Sequence, residues 1–363
     1  MITTIIQEAV MSWLNQTKKT SLSIDISATS IKLLELIQKS DTYRVERFSI
    51  VSLPPEAASQ KKVSPILLAD GIKNALRKSG STLKKAIVAV TESAIMTKTI
   101  SLPASLTDDE IEEELIMTAD QYLPYSLDDL NFDFEIQGIN KNKPELVDVL
   151  LVASRKENVD ERIEALSLAG LKATIVDVEG YAVENAYSLI SPPLSDTNSD
   201  QTIAIIDIGS TMTSLTILYN GKSIYTRGQS FGGKQLTEEI QRHYGLSYEK
   251  AGLAKKQGGL PDNYTETILE PFQKSLVQQI QRALQSFTSS NSNRSLDGMI
   301  LAGGCASMLG IDKLVGKHLN MPVNIANPFI NMSLSPHIDK QSLYQEAPSL
   351  MLACGLALRG FDV

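Results

Sequence analysis

Ser23-Ile-Asp-Ile-Ser-Ala-Thr-Ser-Ile-Lys-Leu-Leu34 and Ile205-Ile-Asp-Ile-Gly-Ser-Thr-Met-Thr-Ser-Leu-Thr216 are two versions of one segment. Asp25 aligns with Asp207, Ile26 with Ile208, Thr29 with Thr211 and Leu33 with Leu215, a constant offset of 182 positions in a chain of 363 residues. Each copy is an apolar strand ending in an aspartate, a turn of small polar residues, and a second apolar strand. One such turn is ordinary hairpin chemistry. Two copies half a chain apart, each on an Ile-Asp-Ile triplet, point to a duplicated α/β fold with two lobes around a cleft.

The residue types state the chemistry of that cleft. Gly, Ser, Ala and Thr at the turns leave nothing bulky between the backbone and a phosphate chain. Their N–H groups and hydroxyls form an anion-binding concavity. Asp25 and Asp207, facing each other, suit a Mg²⁺ ion that keeps most of its water. Lys32 lies on the outgoing strand, where it could return to the phosphates as a point charge. Further on, Met299-Ile-Leu-Ala-Gly-Gly304 reads as a buried strand running into a double glycine, with Gly310 opening the next helix. Gly303 and Gly304 would let a flat adenine or ribose approach the backbone closely. Gly232-Gly233, ahead of a helix starting near Lys234, is a weaker candidate of the same kind.

Working outward, Leu22–Ile26, Ile31–Ile37 and Tyr43–Ile50 read as strands, followed by a helix through Ile66, Leu67, Ile72, Ala75 and Leu76 that stops at Gly80. Ala86–Val90 is a further buried strand. Residues 97–172 form a small α+β block. A Thr107/Glu110 capping box precedes a helix carrying Ile111, Leu115, Ile116 and Ala119. Leu130–Ile139 and Leu146–Ala153 flank an Asn-Lys-Asn-Lys-Pro turn, and a helix over Val159–Ala169 closes on Gly170. Strands restart at Thr202–Ile208, Thr213–Tyr219 and Ser223–Arg227, with an Asn220-Gly221 hairpin turn. Helices at 234–244, 262–287 and 310–319, the strand Gly298–Ala302 and a small-residue helix over Ser349–Arg359 complete the chain. The organisation expected is a 1–20 leader, a first half made of 21–96 and 173–190, the 97–172 insertion, a 191–201 linker and a second half over 202–363. Ile2, Ile5, Ile6, Ala9, Val10, Trp13 and Leu14 give the leader one helical stripe.

Composition narrows the function classes. The chain has 34 basic and 42 acidic residues, a net charge of −8, which argues against a nucleic-acid-binding face. Cys305 and Cys354 lack metal or redox spacing, and His243, His318 and His337 do not cluster with them, so no zinc site is expected. No apolar run approaches the ~20 residues of a membrane span. A cytoplasmic protein is the expectation.

These motifs carry a family resemblance over about Ser21 to Arg359. Two phosphate turns and a late Gly-Gly resemble the superfamily of actin, heat-shock chaperones and sugar kinases, an actin-like (ribonuclease H-like) duplicated fold. Ile24-Asp-Ile-Ser-Ala-Thr-Ser-Ile-Lys-Leu-Leu-Glu-Leu36, Ser101-Leu-Pro103, Tyr122-Leu-Pro-Tyr125, Ala169-Gly-Leu171 and Gly355-Leu-Ala-Leu-Arg359 resemble the PilM family of type IV pilus assembly, relatives of the division protein FtsA. The 97–172 block matches the relocated small subdomain of those two families.

The resemblance implies ATP and Mg²⁺ as ligands, and a scaffold that takes the cytoplasmic N-terminal tail of the inner-membrane protein PilN in a groove beside that subdomain. It also implies recruitment to the inner face of the inner membrane through partners, and leaves open contacts with pilus motor ATPases and self-association. Carried over by residue, Asp25, Ser27, Thr29, Ser30 and Lys32 form the first phosphate site, and Asp207, Gly209, Ser210 and Thr211 the second. Gly303, Gly304 and Met308 meet the nucleoside, with Gly232, Gly233 and Lys255 nearby. Asp25 and Asp207 hold Mg²⁺ through water, and Asp207 doubles as the candidate catalytic group. Two departures stand out. Ser27 replaces the family's glycine, and Ala251-Gly252-Leu253-Ala254-Lys255 keeps the lysine of the ribose-contacting helix without its acid. The alternatives are an FtsA-like filament-forming division protein and a phosphoryl-transferring kinase or ATPase of the same fold.

Overall fold

The computed structural model describes residues 19–59, 63–118, 121–190, 200–290 and 294–362. The amphipathic leader, Ala119 and most of the 191–201 linker lie outside the described residues. Two β-sheets organise the rest. The first has the order β14-β3-β2-β1-β4-β8, built from β1 (Lys19–Ile26), β2 (Ser30–Lys39), β3 (Thr42–Ser52), β4 (Lys85–Val90), β8 (Lys172–Val178) and β14 (Ser333–Leu334). The second has the order β11-β10-β9-β12-β13, from β9 (Thr202–Ile208), β10 (Thr213–Tyr219), β11 (Lys222–Gln229), β12 (Gly298–Ala302) and β13 (Val323–Ile325).

The internal repeat is visible in hydrogen bonds. β1 and β2 pair antiparallel with Asp25 opposite Lys32, and β9 and β10 pair with Asp207 opposite Ser214. Ser27 N donates to Ser30 O at 3.0 Å, and Gly209 N donates to Met212 O at 2.9 Å. All four residues of the first set map onto the second at the offset seen in the sequence. Each β-hairpin then gains a parallel neighbour, β4 beside β1 and β12 beside β9. The hairpin tips therefore sit at the carboxyl ends of the parallel strands, where open α/β sheets bind ligands.

A third sheet, β5-β7-β6, comprises β5 (Ile95–Pro103), β6 (Leu130–Ile139) and β7 (Leu146–Arg155). Helix α2 (Asp108–Thr118) closes one of its faces around Ile100, Leu102, Ile111, Leu115, Val149 and Leu151. Its capping box forms as expected: Thr107 N donates to Glu110 Oε2 at 2.8 Å and Glu110 N donates to Thr107 Oγ1 at 3.4 Å. Such a cap contributes about 1 kcal/mol. Helix α3 (Lys156–Leu168) returns to the first sheet and packs against α1 (Pro65–Ser79), which ends on Gly80 in the left-handed conformation.

Between the two main sheets lie α4 (Glu179–Tyr187) and the last helix, α10 (Met351–Arg359), preceded by α9 (Lys340–Glu346). They meet so closely that a Cβ on Gly355 would stand 1.6 Å from Ala182 O. One core cluster joins Leu34 and Val45 of the first sheet, Ile205 and Leu218 of the second, and Val183, Ala186, Met351 and Ala357 of these helices. The sequence groups residues 202–363 as one half, whereas β14 pairs with β3 and α10 packs on β1, β2 and β4. The chain's end thus ties the lobes together. In the second lobe, α5 (Gly233–Tyr244), α6 (Tyr248–Gln257), α7 (Glu270–Ser290) and α8 (Ile311–Leu319) cover the sheet. The helix expected over 262–287 starts with a π turn at Thr265–Leu269.

Candidate functional site

Between the hairpin tips the cleft gathers charged side chains. Asp25 is 2% exposed, and Lys32 Nζ donates to its Oδ2 at 2.8 Å. Lys32 thus reaches back across the hairpin to the carboxylate of its register partner. Burial alone would lower the Lys32 pKa, but the charges of Asp25, Asp207 and Glu179 outweigh it and raise it. Asp207, at the end of β9, is pushed from 3.8 to about 6 by burial, with Lys32 opposing and Asp25 reinforcing the shift. The site is thus a carboxylate cluster with too little positive charge of its own.

Glu179 is the residue that the sequence reading did not find. Burial, then the charges of Asp25 and Asp207, push its carboxyl from 4.5 up to about 8, against Arg162 and Lys32. It opens α4 directly after β8, whose Val178 is registered with Val90 of β4. The parallel sheet thereby delivers an acid to the same edge as Asp25. The available signal was the β-type run Lys172-Ala-Thr-Ile-Val-Asp-Val178 ending on Glu179-Gly180, a strand running into an acidic helix start.

The second turn is held by the start of α5. Gly233 N donates to Gly209 O at 3.0 Å and Lys234 N to Ser210 O at 2.8 Å. A Cβ on Gly232 would come within 2.6 Å of both carbonyl oxygens, so only glycine allows this approach. Lys255 donates to Gly233 O at 2.9 Å and Thr237 Oγ1 at 2.7 Å, and burial lowers its pKa. It braces the same corner from α6. Cys305 Sγ closes the corner at 3.6 Å from Gly209 O.

Gly303 follows β12 at φ +83°, wedged against Ile208 N and Asp207 Oδ1, where a Cβ would lie 2.6 and 2.7 Å away. Gly304 has open space where its side chain would be, and Met308 is half-buried against the second-lobe core. In the first turn Ser27 Oγ donates to Ser30 O at 2.9 Å and meets Ser30 Oγ at 3.0 Å. The serine that replaces glycine there braces the turn internally. Thr29 accepts Leu53 N at 2.8 Å through its carbonyl, and Thr211 is half-buried at the second tip.

The donor set fits a hydrated divalent cation better than a bare one. Among the described residues no three acidic, histidine or cysteine side chains converge tightly enough to ligate an ion directly. Two carboxylates that share a single lysine can instead hold its water shell.

The model of the family described as "Type IV pilus assembly protein PilM" matches residues 23–361. The chain belongs to the PilM family. A solved structure described as the PilM-PilN type IV pilus biogenesis complex superposes with a TM-score of 0.76 at 26% identity, covering 94% of this chain and 98% of that one. The ethanolamine utilization protein EutJ of Carboxydothermus hydrogenoformans shares the fold, with a TM-score of 0.54 at 14% identity over 93% of this chain and 89% of that one. Among curated proteins, FtsA of Bacillus subtilis is 22% identical over 204 residues, 50% of this chain and 45% of FtsA. FtsA of Helicobacter pylori is 27% identical over 209 residues, 49% of this chain and 41% of its own. The match thus spans less than half the length of these curated relatives. Together the matches establish the actin-like fold and the family. Among the described residues no helix is long and apolar enough to cross a membrane.

Proposed function

We propose that this protein is an ATP-binding scaffold of type IV pilus assembly that takes up the tail of a PilN-type inner-membrane partner. The observation that carries the nucleotide half is the duplicated turn: Ser27 N to Ser30 O and Gly209 N to Met212 O, each placed two residues beyond a cleft aspartate. Ser27, Thr29 and Ser30 on one side, and Gly209, Ser210 and Thr211 on the other, would cradle the phosphates. Gly303, Gly304 and Met308 would face the nucleoside, with Gly232, Gly233 and Lys255 shaping the corner. Asp25 and Asp207 would hold the water shell of Mg²⁺, which supplies the positive charge this cleft lacks. Glu179, once ionised, is the group placed to accept a proton from a water in the cleft.

The partner half rests on family membership and on the junction between the first lobe and the small subdomain. There Val90, Thr91 and Ala94 face Asn158, Glu161 and Arg162 of α3 across a small polar cleft. Arg162 and Thr91 would offer donors for the carbonyls of an extended peptide, while Asn158 braces the wall by donating to Ala94 O and Ser154 Oγ. The charge of Arg162 opposes the upward pKa shift of Glu179, so a peptide that engages Arg162 would alter the charge balance of the nucleotide cleft. Recruitment to the inner face of the membrane would follow from holding such a tail.

Calorimetric titration with Mg-ATP, then with a synthetic PilN-type tail peptide in the presence and absence of nucleotide, tests both halves. Binding of both, with ATP changing the peptide affinity, is the expected result. ATP binding without peptide binding would move weight to the filament or ATPase alternatives. Binding of neither would remove the proposal.

A further inference from the structure

Four neighbouring strands of the first sheet place a lysine at the edge opposite the hairpin tips. Lys19 opens β1, Lys39 closes β2, Lys85 opens β4 and Lys172 opens β8. The register groups them: Lys19 stands opposite Gln38, next to Lys39, and Lys85 stands opposite Lys172. Ser23 of β1 is level with Ile87 of β4, so both pairs share one end of the sheet. Lys84 adds a fifth ammonium group beside Lys85. All five residues are exposed, and none has an ion-pair partner among the described residues. Asp41 follows Lys39 in the turn, and Asp362, next to the Phe361 ring that packs on Tyr43, is 3.5 Å from Arg359. Even so, the edge carries a positive surplus on a chain of net charge −8. Asp25 and the exit of β4 into the insertion lie at the other end of the same strands.

The leader joins the sheet at this same edge. Its apolar stripe, from Ile2 to Leu14 with Trp13 on it, runs up to Lys18 and Lys19. A peptide that lies in a lipid interface combines such a stripe with a basic polar face. The leader has no such face of its own, because its only charged side chain before Lys18 is Glu8. The lysine edge to which it is joined supplies one. Exposed lysines are ordinary singly. A row of them on adjacent strands, at the point where an apolar stripe enters, is the additional observation.

We infer that this edge of the first sheet rests on an anionic lipid surface, with the leader's apolar stripe entering the headgroup region beside it. This goes beyond recruitment through a partner's tail, because the chain itself meets lipid, and it does not depend on the nucleotide reading. Each lysine held within a Debye length of such a surface tightens binding by about fivefold. A short apolar stripe and a basic patch are each a marginal anchor alone, and together they give a firm one. The nucleotide cleft, at the opposite end of the strands, stays open to solvent in this arrangement.

The test is co-sedimentation of the full chain with vesicles of phosphatidylcholine alone and of phosphatidylcholine with about 30% phosphatidylglycerol, at low and at high salt. The wild-type chain should pellet with the anionic vesicles and not with the neutral ones, and salt should weaken the attachment. Trp13 is the only tryptophan, so its emission should shift to the blue as the stripe leaves water. Lys39→Glu/Lys85→Glu/Lys172→Glu should weaken binding by about tenfold or more. Ile6→Asp/Val10→Asp keeps Trp13 and should abolish both the binding and the shift. Circular dichroism verifies that each variant folds. Equal binding to neutral and anionic vesicles, or no binding to either, would overturn the inference. So would an unshifted Trp13, or a lysine variant that binds as the wild type does. Retention on heparin without vesicle binding would overturn it too, by making the edge a site for soluble acidic polymers.

Discussion

Glu179 decides how the cleft responds to protons. An acid whose folded pKa is raised to about 8 stays protonated while its unfolded counterpart ionises near 4.5. Folding stability from this group therefore falls as pH rises between those values. Asp207, raised from 3.8 to about 6, acts the same way over a lower window. A divalent cation reverses the preference, since it favours both carboxylates ionised. Mg-ATP binding should then release protons and tighten as pH rises from about 6 to about 8, by up to tenfold per unit for each proton released. Titrations in buffers of different ionisation enthalpy measure that release. Glu179→Gln should flatten the upper part of the profile, and an unchanged profile would remove Glu179 from the site. Asp207→Ala should abolish Mg-nucleotide binding and leave the chain folded, because the carboxylate is a cleft group, not core; unchanged affinity would remove the second-phosphate assignment. The two aspartates were legible because repetition exposed them. Glu179 occurs once, and its place follows from the parallel register of β4 and β8, which no local pattern encodes.

At the scale of elements, strands and turns were legible wherever apolar runs met Gly, Asn or Asp, as at Asn220-Gly221 between β10 and β11. The capping box at Thr107 and Glu110 was equally explicit. The helices α4 and α6 were not read from pattern, because Glu179–Tyr187 is short and small-residue-rich and Tyr248–Gln257 buries only Ala251. β14 is two residues long and exists only because the first sheet offers an edge at β3. Gly303 joins the element scale to the site. Its positive φ and the backbone of Ile208 at 2.6 Å leave no place for a methyl group. Gly303→Ala should lose about 3 kcal/mol from the combined strain and clash. Urea unfolding measures it, and a loss under about 0.5 kcal/mol, the size of an ordinary surface change, would show that the turn relaxes freely.

The whole molecule is two lobes that meet through α4, α10 and a pair of polar contacts on β11. Glu184 Oε2 accepts Ser223 N at 2.7 Å, and Glu184 Oε1 lies 3.0 Å from Lys222 Nζ. Glu92, in the short turn after β4, accepts Thr226 Oγ1 at 2.6 Å through Oε1, while its buried Oε2 has no hydrogen-bond partner. The second of these contacts is the sensitive one. Glu92 already carries one unmatched oxygen, and removing the Thr226 hydroxyl would leave both unmatched inside the interface. Separation of the lobes hydrates that carboxylate, so the loss falls on the closed arrangement alone. A buried hydrogen bond to a charged group contributes about 1.5–3 kcal/mol. Thr226→Val should therefore shift the lobes toward an open state and weaken a nucleotide that binds both hairpin tips by about tenfold or more. Hydrogen exchange should rise at α4 and β11 in the free protein, and Mg-ATP titration should show the weaker affinity. Thr226→Ser keeps the hydroxyl and should restore both. Equal affinity in the valine and wild-type proteins would mean that this contact does not bias lobe closure, and the coupling between lobes would then rest on the α4–α10 packing.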